Sequence, residues 1–111
     1  MSDALAILME NALHYAPPGG EVVLGVRSME HKGKPLLLFF VMDTGPLVAE
    51  TMRQVIFEPS FVWDESAPER TGRELFKTRD FAIRHQGSVW VESKTGKACT
   101  FFLRLQPDAV G

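Results

Sequence analysis

Residues 36–42, LLLFFVM, are apolar at every position, and Asp43 closes the run. A strand with one solvated face alternates apolar and polar side chains. A run that is apolar on both alternating faces therefore requires a strand in the middle of a sheet, or one deeply buried. An aspartate at the end of such a strand is costly to bury without a partner, so Asp43 marks a place where something is bound. The chain then turns through Thr44, Gly45 and Pro46 and resumes with Leu47, Val48 and Ala49.

The rest of the chain must supply what covers that strand. With 111 residues and 45% hydrophobic content, it suffices for one compact domain with one core. Residues 1–106 are expected to form that domain and residues 107–111 a C-terminal tail. A formal net charge of −2 provides no basic field, which argues against a nucleic-acid partner. The single cysteine, Cys99, cannot form an internal disulfide and lies in an apolar stretch, where it reads as a small hydrophobe. No apolar run approaches the ~20 residues that span a bilayer. A cytoplasmic chain without direct membrane contact is the expectation.

Leu5, Leu8, Met9, Ala12 and Leu13 fall at the spacing of one buried helical stripe, on a helix that Ser2 can cap and that ends before Pro17. After the breaker Pro17-Pro18-Gly19-Gly20, residues 21–27 read as a strand, and polar residues 30–34 as a turn leading into the 36–42 strand. These two strands should pair. Residues 46–54 suit a short helix, and residues 57–70 a long loop holding Pro59, Phe61, Trp63 and Pro68. Residues 74–85 carry Leu75, Phe76, Phe81 and Ala82 at helical spacing, ending at His85-Gln86-Gly87 with a glycine suited to a left-handed cap. A hairpin closes the chain, with strands 88–93 and 99–105, a turn at residues 94–97, and Trp90 as a core or half-buried strand residue.

On the first helix Ile7, Asn11 and His14 lie within about 60° of one another. Mid-helix asparagine is disfavoured. Asn11 is either a solvent-facing surface residue or an amide oxygen for a hard cation such as Mg²⁺.

Four stretches bear on the choice: Glu10-Asn11-Ala12-Leu13-His14-Tyr15-Ala16-Pro17 followed by Gly19-Gly20; Asp43-Thr44-Gly45-Pro46; Ile56-Phe57-Glu58-Pro59-Ser60-Phe61; and His85-Gln86-Gly87-Ser88-Val89-Trp90-Val91-Glu92-Ser93, closed by Gly96 and Thr100-Phe101. In this order and at these separations, they resemble the catalytic, ATP-binding domain of sensor histidine kinases, members of the GHKL (Bergerat-fold) ATPase superfamily. The resemblance covers nearly the whole chain. It implies a two-layer α/β sandwich, a mixed sheet with helices on one face, truncated at its N-terminus. It also implies ATP with Mg²⁺ bound between the helix layer and a lid.

By that resemblance Asn11 matches the Mg²⁺-holding asparagine and Asp43 the acceptor of the adenine amino group. Gly45 matches the glycine that lets the base approach, Tyr15 an aromatic beside the nucleotide, and Thr100 the threonine near adenine. His14 stands where a lysine or arginine is common, and Gly72 is the surviving glycine of the phosphate-binding box. Three further positions depart from the pattern more strongly. Leu47 replaces the second glycine after Asp43, excluding the positive φ that glycine permits cheaply. Glu74 replaces the second glycine of Thr71-Gly72-Arg73-Glu74. A carboxylate ~4 Å from a phosphate oxygen, at an effective dielectric of ~20, is repelled by about 4 kcal/mol. Ile7 stands where related ATPases often carry an asparagine or acidic residue, and it can neither bind metal nor act as a base.

Histidine kinases phosphorylate a histidine in a separate helical dimerisation domain. None of His14, His31 and His85 has the sequence context of that site, so no catalytic residue is assigned and the chain alone has no phosphoacceptor. Three readings stay open. The first is the ATP-binding-type domain of a two-component sensor histidine kinase with a degenerate, pseudokinase-like pocket that binds ATP weakly or not at all. The second is a non-catalytic module that docks a kinase helical domain or a response regulator. The third is a serine-kinase or anti-sigma-type relative.

Overall fold

The computed structural model describes residues 2–15, 18–44, 48–58, 73–93 and 99–106. Among them, helix α1 (Ser2–Tyr15) is followed by strands β1 (Val22–His31) and β2 (Lys34–Asp43) and two single-turn 3₁₀ helices (Glu50–Met52 and Val55–Phe57). Helix α2 (Arg73–Arg84) and strands β3 (Ser88–Ser93) and β4 (Cys99–Leu105) complete the order. Trp63, Phe61 and the expected turn at residues 94–97 lie outside the described residues, as do residues 107–111.

The strands form one sheet in the order β1-β2-β4-β3. The apolar run thus lies in a central strand, paired with β1 as expected and with β4 on its other side. Every neighbouring pair is antiparallel. This corrects the expectation of a mixed sheet for the described strands. β2 and β3 do run the same way, but β4 returns between them, so the two parallel strands never touch.

The first hairpin is longer than its composition suggests. Its loop is only Lys32 and Gly33, with φ of 52° and 77°, and His31 pairs with Lys34. Two successive positive φ values make the tight turn whose twist matches that of the flanking strands, so pairing continues through the exposed residues 28–31.

Helices α1 and α2 cover the face that carries Phe39, Val41, Phe101, Leu103, Leu105, Val89 and Val91. The buried stripe of α1 is Ala4, Leu8 and Ala12, flanked by half-buried Leu5, Ile7 and Met9. Leu13 is 63% exposed, against expectation. It lies about 140° around the helix from Leu8, and the two alanines let α1 approach the sheet along a line that excludes it. Asn11, only about 60° from Leu8, is half-buried on the flank of that stripe.

Residues 46–54 form no α-helix among those described. The first 3₁₀ turn is exposed or half-buried, while Ile56 and Phe57 in the second are buried. Phe57 meets Phe101 edge to face, with ring centroids 6.2 Å apart.

Helix α2 buries Leu75, Thr78 and Ala82, with Phe76 and Phe81 half-buried. At its end the left-handed residue is Gln86 (φ 60°), not the expected Gly87. The Gly87 amide donates to the Ala82 carbonyl (2.7 Å) and the Gln86 amide to that of Ile83 (3.1 Å), the paired bonds of a Schellman cap. Gly87 is needed for another reason: a Cβ there would collide with the backbone carbonyl of Arg104 on β4.

Candidate functional site

Asp43 ends β2 and is 3% exposed. Antiparallel register sets it opposite Cys99 on β4, which in turn faces Ser93 on β3. Residues directly opposite in a sheet share a face, so Asp43, Cys99 and Ser93 form one cross-strand row on the helix side. The same alternation that buries Phe39 and Val41 inward makes Asp43 point inward.

Two sets of bonds fix the backbone beyond this row. Thr44 exchanges bonds with Glu21: its amide donates to the Glu21 carbonyl (3.2 Å), and its Oγ1 accepts from the Glu21 amide (3.0 Å). Ser93 holds the returning chain, its Oγ accepting from the Val48 amide (3.0 Å) and its carbonyl from Arg53 Nη2 (2.6 Å). Thr44 and Val48 are thereby each anchored. Arg53 Nε is buried and has no hydrogen-bond partner among the described residues.

Burial, together with the neighbouring charge of Asp43, pushes the Cys99 thiol up to about 11. Its hydrogen bond with Ser93 and the charge of Arg53 pull the other way. Cys99 is therefore a neutral, buried thiol near pH 7 and a member of the core.

Thr100 does not join Asp43. It is the next residue along β4, so period-two alternation sends it to the opposite face. There it lines a shallow cavity of about 300 Å³ with Arg27, Leu38, Phe40, Met42 and Phe102. Trp90 stacks on Phe102 on that outer face, centroids 5.1 Å apart, and its indole N–H donates to Glu92 (3.0 Å). The residue of β4 beside Asp43 is Cys99. Sequence reading missed it, although the burial of Phe101, two residues on, implies that Cys99 shares its inward face.

Asn11 lies on α1, which packs against β2 and α2 on the side of the sheet to which Asp43 points. The side chains of His14, Tyr15 and Glu74 lie outside what is described, and Gly45, Leu47 and Gly72 lie outside the described residues. No cluster of three or more His, Cys, Asp or Glu side chains suited to a metal occurs among the described residues. No helix described is long and apolar enough to cross a membrane.

The architecture is thus an α/β sandwich with a buried acidic strand end on its helical side. Over residues 1–109 the chain matches the family of histidine kinase-, DNA gyrase B- and HSP90-like ATPases, and it belongs to that family. It is 33% identical over 99 residues to the adaptive-response sensory kinase SasA of Synechococcus sp. (strain JA-2-3B'a(2-13)), a match covering 88% of this chain and 26% of that kinase. It therefore spans about a quarter of the length of that relative. The nucleotide-free catalytic domain of histidine kinase ThkA shares its fold with a TM-score of 0.77 at 22% identity, covering 96% of this chain and 66% of that one. Full-length ShkA, in complex with AMPPNP, is similar with a TM-score of 0.73 at 25% identity, covering 93% of this chain and 20% of that one.

Proposed function

We propose that this chain, as a domain formed by residues 1–106, is the nucleotide-binding module of a two-component sensor histidine kinase. Its pocket is degenerate and holds ATP with Mg²⁺ weakly. The observation that carries this reading is the burial of Asp43 at the C-terminal end of the central strand, on the side covered by α1. A carboxylate there suits the exocyclic amino group of adenine, because a desolvated acceptor binds a donor more strongly than water-exposed groups do. The similarity to full-length ShkA, crystallised in complex with AMPPNP, supports the same ligand.

One described donor suits the group. Asn11, half-buried on the flank of α1, offers one amide oxygen to a hard cation whose other ligands are phosphate oxygens and water. His14 and Tyr15, in the last turn of α1, and Gly45 and Gly72 complete the residues proposed to contact nucleotide. When bound, ATP–Mg²⁺ supplies an activated phosphoryl group, and the residues here hold and orient it. The acceptor histidine belongs to a helical dimerisation domain outside this sequence, or to another chain, and a response regulator is the subsequent partner. The compartment proposed is the cytosol.

Leu47 and Glu74 favour a second reading, in which the fold has kept its core while losing its ligand, and docks a helical domain or response regulator through its surface. Calorimetric titration with ADP and a non-hydrolysable ATP analogue, with and without Mg²⁺, separates the two. Binding near or below about 100 μM that Asp43→Ala abolishes supports the first reading. Absence of heat from the native chain, with binding recovered by Leu47→Gly together with Glu74→Gly, supports the second.

A further inference from the structure

We infer that Ser93 is a positioning residue for the nucleotide site: it fixes Val48 and Arg53 against the cross-strand row that carries Asp43. The inference rests on the nucleotide-binding reading above and assigns that site a residue which touches no nucleotide.

The geometry is specific. The described residues on either side of positions 45–47 are both tied down. The near side is held by Thr44 on Glu21 and the far side by Ser93. Ser93 is 7% exposed and holds this segment through its hydroxyl, which accepts from the Val48 amide, and its carbonyl, which accepts from Arg53 Nη2. It stands in the same cross-strand row as Asp43, with Cys99 between them. Movement of the returning chain is thereby tied to the row that carries the carboxylate. Val48 is itself buried, so losing the hydroxyl leaves its amide without an acceptor. Arg53 makes the second tie from a half-buried position, through one terminal nitrogen.

The test compares ADP affinity and amide hydrogen exchange at Val48 in the native chain and in Ser93→Ala, Ser93→Thr and Arg53→Met. All are measured below their melting temperatures and repeated in the Leu47→Gly, Glu74→Gly background. Ser93→Ala is expected to weaken ADP about tenfold and to deprotect the Val48 amide. Ser93→Thr, which keeps the hydroxyl, is expected to restore both, a rescue that general destabilisation would not produce. Arg53→Met is expected to weaken ADP by about threefold. Deprotection of Val48 with ADP affinity within about twofold of the parent overturns the inference and leaves the nucleotide reading intact. Should Ser93→Ala fail to fold, a folded Arg53→Met chain with unchanged affinity overturns it. ADP binding absent from the native and reverted chains alike overturns the nucleotide reading, and this inference with it.

Discussion

Asp43 and Cys99 face each other across β2 and β4 on the helix side of the sheet, while Thr100 points away from both. One residue of register decides which β4 side chain borders the proposed base pocket. Thr100→Ala is accordingly expected to leave nucleotide affinity within about twofold of the parent. Cys99→Thr, which puts a hydroxyl next to Asp43, is expected to change it by about threefold or more. Titration of both variants with ADP checks this, and a large effect at Thr100 with none at Cys99 would contradict the assigned faces.

The same pair makes stability depend on alkaline pH. Burial and the Asp43 charge raise the Cys99 thiol from 9.0 to about 11, so the folded chain holds the proton more tightly than the unfolded one. The sign follows from proton linkage: the contribution is full below 9.0 and is lost as pH rises to about 11. A shift of this size corresponds to about 2–3 kcal/mol. Urea midpoints measured across that window should fall more steeply for the native chain than for Cys99→Ala. Parallel curves would show that the thiol does not titrate there.

Gly87 lies directly against the Arg104 carbonyl, where a methyl group has no room. The obstacle is backbone of a central strand, which cannot swing aside as a side chain would. Gly87→Ala is expected to cost about 1–3 kcal/mol, read as a lower urea midpoint at unchanged slope. A midpoint equal to the parent's would mean that β4 yields freely.

Phe57 ties the chain between Asp43 and α2 to the core through its edge contact with Phe101. Phe57→Ala removes a fully buried ring and is expected to destabilise by about 3–5 kcal/mol. Thermal unfolding followed by far-ultraviolet circular dichroism measures it, and a loss below about 1 kcal/mol would place this ring outside the cooperative core.

Lys32 occupies a left-handed conformation that lysine adopts less readily than asparagine. Lys32→Asn should therefore stabilise the hairpin by about 0.5 kcal/mol, seen as a small rise in melting temperature. A fall would indicate that the lysine side chain contributes something the turn geometry does not require.

Much of this was legible in the sequence because it follows from local periodicity. The unbroken apolar run specified a central strand, helical spacing located α1 and α2, and Asp43 was marked by the cost of burying a charge. Four separated stretches were enough to indicate the ATPase family. What local pattern could not supply was anything set by a neighbour across space. The stripe of α1 turned toward Ala4, Leu8 and Ala12 because the sheet selects the line of closest approach, leaving Leu13 in solvent. Gly87 serves the carbonyl of a strand that comes later in the chain, so a local reading took it for the helix cap. Which of Cys99 and Thr100 stands beside Asp43 was decided by pairing register, and the linking of Val48, Arg53, Ser93 and Cys99 by the meeting of three distant segments. The sequence by itself determined the elements and the charge to be accommodated. The tertiary structure decided which side chains surround that charge, because sheet register and helix orientation are settled by packing between segments rather than within them.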